Sequence, residues 1–284
     1  MSAGRPKWRA GTEQRIAALP LAGRIGFALV LFWVLAALFG PSLAPHPVGT
    51  VVAQEVFGTF TATHPLGTDY LGRDMLSRIL HGARLTIMLA LAAAVTASVT
   101  GTTIAILSAT LGGWIDEGVG RLMDALISIP SKMLALVMVA SFGASPTLLI
   151  LTAAFSYTPG AFRIARSLAV NVRTLDYVQA ARARGEGTGY IAWVEIFPNM
   201  VNPMLADFGL RFVFVVLLLS GMSFLGLGVQ PPDADLGSLV RENISGLFEG
   251  APAVVMPALA IASLTVGVNL LIDALSARSS SVEQ

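Results

Sequence analysis

The 284-residue sequence contains no cysteine, which excludes a disulfide framework, a thiolate nucleophile and any cysteine-ligated metal site. Charge is scarce as well. Only 12% of residues are Asp, Glu, Lys or Arg, about half of the roughly 25% usual in soluble domains. With 55% apolar residues, this excludes an ordinary soluble enzyme and a disordered chain. The formal net charge of +1 offers no basic surplus for a nucleic-acid partner. Lysine occurs only as Lys7, after Pro6, and Lys132, after Ser131, so there is no Gly-Lys-Ser/Thr phosphate loop. The histidines, His46, His64 and His81, have neither metal-ligand spacing nor a partnered serine nucleophile. No catalytic residue, cofactor or metal site is therefore expected.

What the chain does have is long apolar runs. Residues 25–54, 85–115, 133–162, 212–232 and 250–272 carry no Asp, Glu, Lys or Arg, and each reaches the ~20 residues that a spanning helix needs. The third window would measure about 45 Å as one helix, too long for a ~30 Å hydrocarbon core. It is also interrupted by Gly143-Ala144-Ser145-Pro146. It is read as two spans, 122–142 and 147–168, which gives an all-α polytopic membrane protein of about six transmembrane helices. The first run is longer than the apolar part of a signal peptide and is taken as a retained anchor.

Basic residues set the direction. Arg5, Lys7, Arg9, Arg15 and Arg24 precede the first span, and Arg163, Arg166, Arg173, Arg182 and Arg184 cluster around 163–199. The positive-inside rule places both groups in the cytoplasm. An even number of spans then separates them, and both termini are cytoplasmic. The organisation expected is a tail over 1–24, a transmembrane domain over 25–278 and a tail over 279–284. External loops cover 44–83 and 227–252, and a cytoplasmic loop covers 170–199. Arg73, Arg78, Arg84 and Arg241 fall outside.

The first external loop ends in His64-Pro65-Leu66-Gly67-Thr68-Asp69-Tyr70-Leu71-Gly72-Arg73-Asp74, after which the pattern turns helical. That helix either lies in the interface or simply prolongs the second span. In the second external loop, Gly226 and Gly228 end a helix and Pro231-Pro232 is expected to keep the chain extended.

The cytoplasmic loop is the most informative segment. Thr174 to Arg184 reads as a short helix, with Asp176 in its first turn, Arg182 and Arg184 in its last, and Gly185 as its stop. Tyr190 to Phe197 forms a second apolar piece, broken by Pro198 before a fifth span that starts near Asn202-Pro203. The small residues Ala180, Ala181 and Ala183 allow another protein to approach closely.

Tyr177-Val178-Gln179-Ala180-Ala181-Arg182-Ala183-Arg184-Gly185, followed after nine residues by Glu195-Ile196-Phe197-Pro198, resembles the EAA loop of permease subunits in binding-protein-dependent ABC importers. That pattern is Glu-Ala-Ala, three residues, Gly, nine residues, Ile-x-Leu-Pro. Ala180, Ala181, Gly185 and Pro198 match, whereas Gln179, Glu195 and Phe197 depart. The His64 to Arg78 segment and Ser223-Phe-Leu-Gly-Leu-Gly-Val-Gln-Pro-Pro are similar to the C-type permeases of dipeptide, oligopeptide and nickel importers. The resemblance implies a methionine-importer-like permease fold and a heteromeric machine. Its partners would be a second homologous permease, two ATP-binding cassette ATPases and an extracytoplasmic binding protein, all at the lipid bilayer of the cell inner membrane. It also assigns ATPase coupling to Tyr177, Gln179, Ala180, Ala181, Gly185 and Pro198. Peptides are the leading cargo; nickel chelates, opines and other solutes are alternatives.

An ion-gradient transporter is the rival class, and it would need ionisable groups at mid-membrane. Asp207 and Arg211 lie four residues apart on one face of the fifth span, so they can pair. They are either a self-neutralising tie or candidate pathway-lining residues that meet an anionic group of the substrate. Arginine does not release its proton, which argues against a relay.

Overall fold

The computed structural model describes residues 20–282, so the basic residues of the 1–19 tail and the extreme C-terminus lie outside the described residues. Helix α1 spans Leu21–Leu43, α2 Met75–Leu111, α3 Gly113–Ile127, α4 Ser131–Phe142 and α5 Pro146–Arg173. The short α6, Asp176–Ala183, precedes α7, Phe197–Phe224; α8, Leu236–Glu242, and α9, Pro252–Val282, complete the order. No strand occurs among the described residues, only the isolated bridges Val51 to Arg73 and Thr68 to Asp74.

Five helical stretches, including Thr188–Phe224 as one, are long and apolar enough to cross a membrane. The third expected span differs from its sequence outline. It is not one helix over 122–142 but the pair α3 and α4, bent by 80°. Pro130 is the cause: it has no N–H to donate and disfavours helix at the residue before it. At 12 residues, or about 18 Å, α4 cannot span alone.

Helix α2 settles the reading of the first external loop. It runs unbroken for 37 residues, about 55 Å, so its first turns rise beyond the hydrocarbon core instead of forming a separate interfacial helix. Asp74 caps it by accepting from the Ser77 N–H. Helix α2 packs along α5, with Ala90, Ala93, Ala97, Gly101 and Ala105 buried on one helix and Ala154, Ala161 and Ala165 buried on the other. Contact there is so close that a Cβ on Gly101 would lie 2.6 Å from the Ala161 Cβ. Small residues at helix crossings admit this approach, and dispersion holds it.

The two ends of the bundle meet in the same way. On Gly26 of α1 a Cβ would fall 2.6 Å from the Leu271 backbone nitrogen of α9, and on Gly267 it would fall 2.7 Å from the Leu29 Cβ. Helix α1 is thus an integral element of the bundle. Trp33 adds a hydrogen bond from its indole N–H to the Ser263 hydroxyl, 3.0 Å.

A second correction concerns Pro198. It does not break the chain, because Thr188–Tyr190, a π-helical segment over Ile191–Ile196 and α7 form one continuous rod. The proline sits at the junction between the π-helical segment and α7, where the local change of helical pitch accommodates its missing N–H. Pro231-Pro232 also departs from expectation: the peptide between them is cis and the chain turns there.

Apolar packing falls into two clusters. The larger one includes Trp33, Met75, Leu89, Val216, Leu236 and Leu264. The smaller one gathers Ile106, Phe162, Val178, Ile191, Ile196 and Met200, which mounts the 174–196 segment on the ends of α2 and α5.

Candidate functional site

Helix α6 is anchored through one face and presents the other. Val178 and Ala181 are fully buried, while Tyr177, Gln179, Ala180 and Gly185 are exposed. Of the residues expected to meet a partner, Ala181 therefore points inward, a correction that the three-residue spacing from Val178 explains. Pro198 is exposed but lies on the far side of the π-helical segment.

The stop at Gly185 is a Schellman motif. The Glu186 N–H donates to Ala181 O at 3.2 Å and the Gly185 N–H to Arg182 O at 3.0 Å, with Gly185 at φ +83°. That conformation is left-handed, and a side chain would strain it. Gln179 closes the end of α5 onto α6, its Nε2 donating to Arg173 O at 2.8 Å. A glutamate carboxylate has no proton to give there.

Cations fasten this loop to the carbonyl end of α2. Arg173 Nη1 donates to Ala109 O at 2.7 Å and Arg182 Nη2 to Thr110 O at 3.3 Å. Positive charge is favoured at a helix C-terminus, where the macrodipole is negative. Arg166 grips Asp116 of α3 in a fork, with Nε and Nη2 each 2.7 Å from a carboxylate oxygen. Partial burial, and then the neighbouring Glu195 carboxylate, raise the Tyr177 hydroxyl above its ordinary value. The basic cluster at 163–184 is therefore partly a set of structural clamps as well as a topology signal.

Within the bundle, Asp207 and Arg211 are both buried and paired. Arg211 Nη2 lies 2.7 Å from Asp207 Oδ2, and Arg211 Nη1 donates to Tyr157 O of α5 at 2.8 Å. Gly160 makes room for the guanidinium, beside Pro159, which already interrupts the α5 backbone.

On the opposite end of the bundle lie arrangements that the sequence did not disclose. Arg73 and Arg78 reach Asp69 Oδ2 at 2.6 and 2.7 Å, and Arg78 also reaches Glu242 Oε2 at 2.8 Å. Two arginines and two carboxylates from separate segments of the chain thus neutralise one another in a largely buried cluster. Asn243 joins the same segments by accepting from the Tyr70 N–H, 3.0 Å. Nearby, the buried Asp235 caps α8, accepting from the Ser238 N–H at 2.8 Å and from the Ser223 hydroxyl at 2.7 Å. Burial pushes its carboxyl above the ordinary value, against the pull of those hydrogen bonds. The histidines hold a further correction: despite sequence spacing that suggested no metal arrangement, His46 and His64 converge with Asp74, their ligand atoms all within 4.8 Å of one another. The Asp69-x3-Arg73 spacing was the available sequence signal for the charge cluster; Glu242 and the histidine convergence had none.

A helical bundle with several apolar spans, carrying a short helix mounted on one end, defines a polytopic membrane protein. Residues 101–281 match the model of the family described as "Binding-protein-dependent transport system inner membrane component", and the chain belongs to that family. It is 32% identical to a di/tripeptide transport system permease protein of Pseudomonas aeruginosa, over 88% of this chain and 84% of the relative. It is 31% identical to a probable D,D-dipeptide transport system permease protein of Escherichia coli, over 86% and 82%. A glutathione transport system permease protein of Pectobacterium atrosepticum is 31% identical over 76% and 71%. The chain is thus a multi-pass permease component of a binding-protein-dependent importer.

Proposed function

We propose that this chain pairs with a second permease to form the pathway through which an ATP-driven importer takes up di- or oligopeptides. An extracytoplasmic binding protein delivers them, and two ATPase subunits dock beneath α6. The carrying observation is the geometry of α6: a short helix locked to the bundle through Val178, Ala181, Arg173 and Arg182, whose other face offers Tyr177, Gln179 and Ala180. A rigid mount transmits a partner's closure to α2, α5 and α7, two bistable assemblies sharing one contact. In this arrangement both termini are cytoplasmic and ATP is hydrolysed by the partners. The peptide cargo is supported by the names of the relatives; the opine, nickel-chelate and ion-gradient readings have no comparable support.

The test is ATP-dependent dipeptide uptake by the four-component system in proteoliposomes. Uptake that needs the binding protein and the ATPases supports the reading; uptake driven by a proton or sodium gradient without ATP refutes it. Arg211, with guanidinium donors on Asp207 and on a backbone carbonyl, is proposed to tie α7 to α5 and not to bind cargo. Substituting both residues, Asp207→Leu with Arg211→Leu, leaves no buried charge behind and is expected to preserve uptake. Loss of uptake in a stably folded double variant would assign the pair to the pathway.

A further inference from the structure

His46, His64 and Asp74 come from three places in the chain, the segment after α1, the middle of the external loop and the cap of α2. Asp74 is fully buried as a side chain and the two imidazoles are 33% and 15% exposed. His64 Nδ1 lies 3.4 Å from Asp74 Oδ1, and His46 Nδ1 lies 3.8 Å from Asp74 Oδ2. Yet His46 Nδ1, His64 Nδ1 and Asp74 Oδ1 are all buried without a hydrogen-bond partner. Buried polar atoms are nearly always satisfied, and these three are left without partners although their residues face one another. A charge-assisted N–H to carboxylate bond would close to about 2.7–2.9 Å.

We propose that these three residues hold one divalent transition-metal ion, such as Zn²⁺, on the face of the protein assigned to the exterior. Bonds of ~2.0–2.1 Å at tetrahedral angles place neighbouring ligand atoms about 3.3–3.4 Å apart, close to the separation between His64 and Asp74. The supporting shell is in place. Asp74 Oδ2 accepts from the Ser77 N–H at 2.9 Å and from the Ser77 hydroxyl at 2.7 Å, which leaves Oδ1 facing His64. Ser77 Oγ in turn accepts from the His46 backbone N–H at 3.1 Å. The turn at His64 is fixed by its N–H donating to Thr61 Oγ1, 2.9 Å. Such second-layer contacts orient metal ligands. Two imidazoles and one carboxylate suit a borderline ion over Mg²⁺ or Ca²⁺, which take oxygen ligands, and they leave a fourth position for water. The ion clips the external loop to the start of α2, next to the Asp69 charge cluster.

The test uses the full-length chain in its purified transporter complex, without a polyhistidine tag, stripped with EDTA and titrated with Co²⁺. This chain has no cysteine, so any cobalt–thiolate band belongs to a partner subunit, and the difference between wild type and the histidine variant reports the site. We expect about one equivalent per chain with the visible ligand-field bands of four-coordinate cobalt, displaced by Zn²⁺. His46→Ala with His64→Ala should weaken binding by at least ~100-fold, whereas His81→Ala, whose Nδ1 sits on Ser77 O, should leave it unchanged. Zn²⁺ should raise the melting temperature of the wild type and not of the double variant. Absence of the bands in the wild type, or equal binding by the double variant, overturns the proposal.

Discussion

Gly185 gives the sharpest quantitative test of the coupling role proposed for α6. Nothing lies within 4 Å of a Cβ placed on it, so a side chain there meets no neighbour and its cost is wholly conformational. At φ +83° an L-residue costs about 1–2 kcal/mol, Asn least, because it tolerates the left-handed region, and a β-branched residue most. The series Gly185→Asn, Gly185→Ala and Gly185→Val should therefore step from near zero through about 1 to about 2 kcal/mol. Those costs lower the weight of the native turn roughly 5-fold for Ala and roughly 30-fold for Val. Since the turn closes α6 on a site exposed to solvent, the melting temperature of the bundle should barely move. The readout is dipeptide taken up per ATP hydrolysed in proteoliposomes, which should fall in the order Gly, Asn, Ala, Val. Wild-type coupling in Gly185→Val, or Asn and Val equally uncoupled, would refute the reasoning.

The two alanines of α6 should separate cleanly. Ala180→Glu places charge on the exposed face and is expected to weaken ATPase co-purification without lowering thermal stability; Ala181→Glu buries a carboxylate and should lower stability first, as a melting curve will show. Glu242→Leu leaves Arg73 and Arg78 sharing only Asp69, at a cost of about 3–5 kcal/mol, and limited proteolysis should then cut the external segments faster. Asp235 predicts a pH effect. Its folded carboxyl binds a proton more tightly than the unfolded one, so its stabilising contribution is full below the unfolded value of about 3.9. That contribution is lost as pH rises through the raised folded value. Asp235→Asn should flatten this part of the stability curve relative to wild type, measured as the difference in melting temperature across the acid-to-neutral range. An unchanged slope would rule out the assignment.

The sequence disclosed the spans because exclusion of charge from hydrocarbon is a local property that each residue reports for itself. It also disclosed α6 and its glycine stop, since capping and dipole signals act within a few residues of one another. The 80° bend between α3 and α4 escaped because Pro130 lies just outside the charge-free run that starts at 133, so the run itself carries no sign of the break. Pro198 misled in the opposite sense, its missing N–H being accommodated where the π-helical segment passes into α7. The buried face of Ala181 depended on which side of α6 the rest of the bundle occupies.

By itself, then, the amino-acid order determined that this protein is an all-helical membrane permease, how many apolar runs it has and where the short helix α6 lies. Only the tertiary structure decided which charges neutralise one another, Asp69 and Glu242 with Arg73 and Arg78, Asp116 with Arg166, Asp207 with Arg211, and that His46, His64 and Asp74 share one point. The division has a physical origin. Partition into a bilayer sums over neighbours in the chain, whereas ion pairing and ligand convergence depend on distances that close loops of many residues, and the chain order does not specify those distances until the helices have packed.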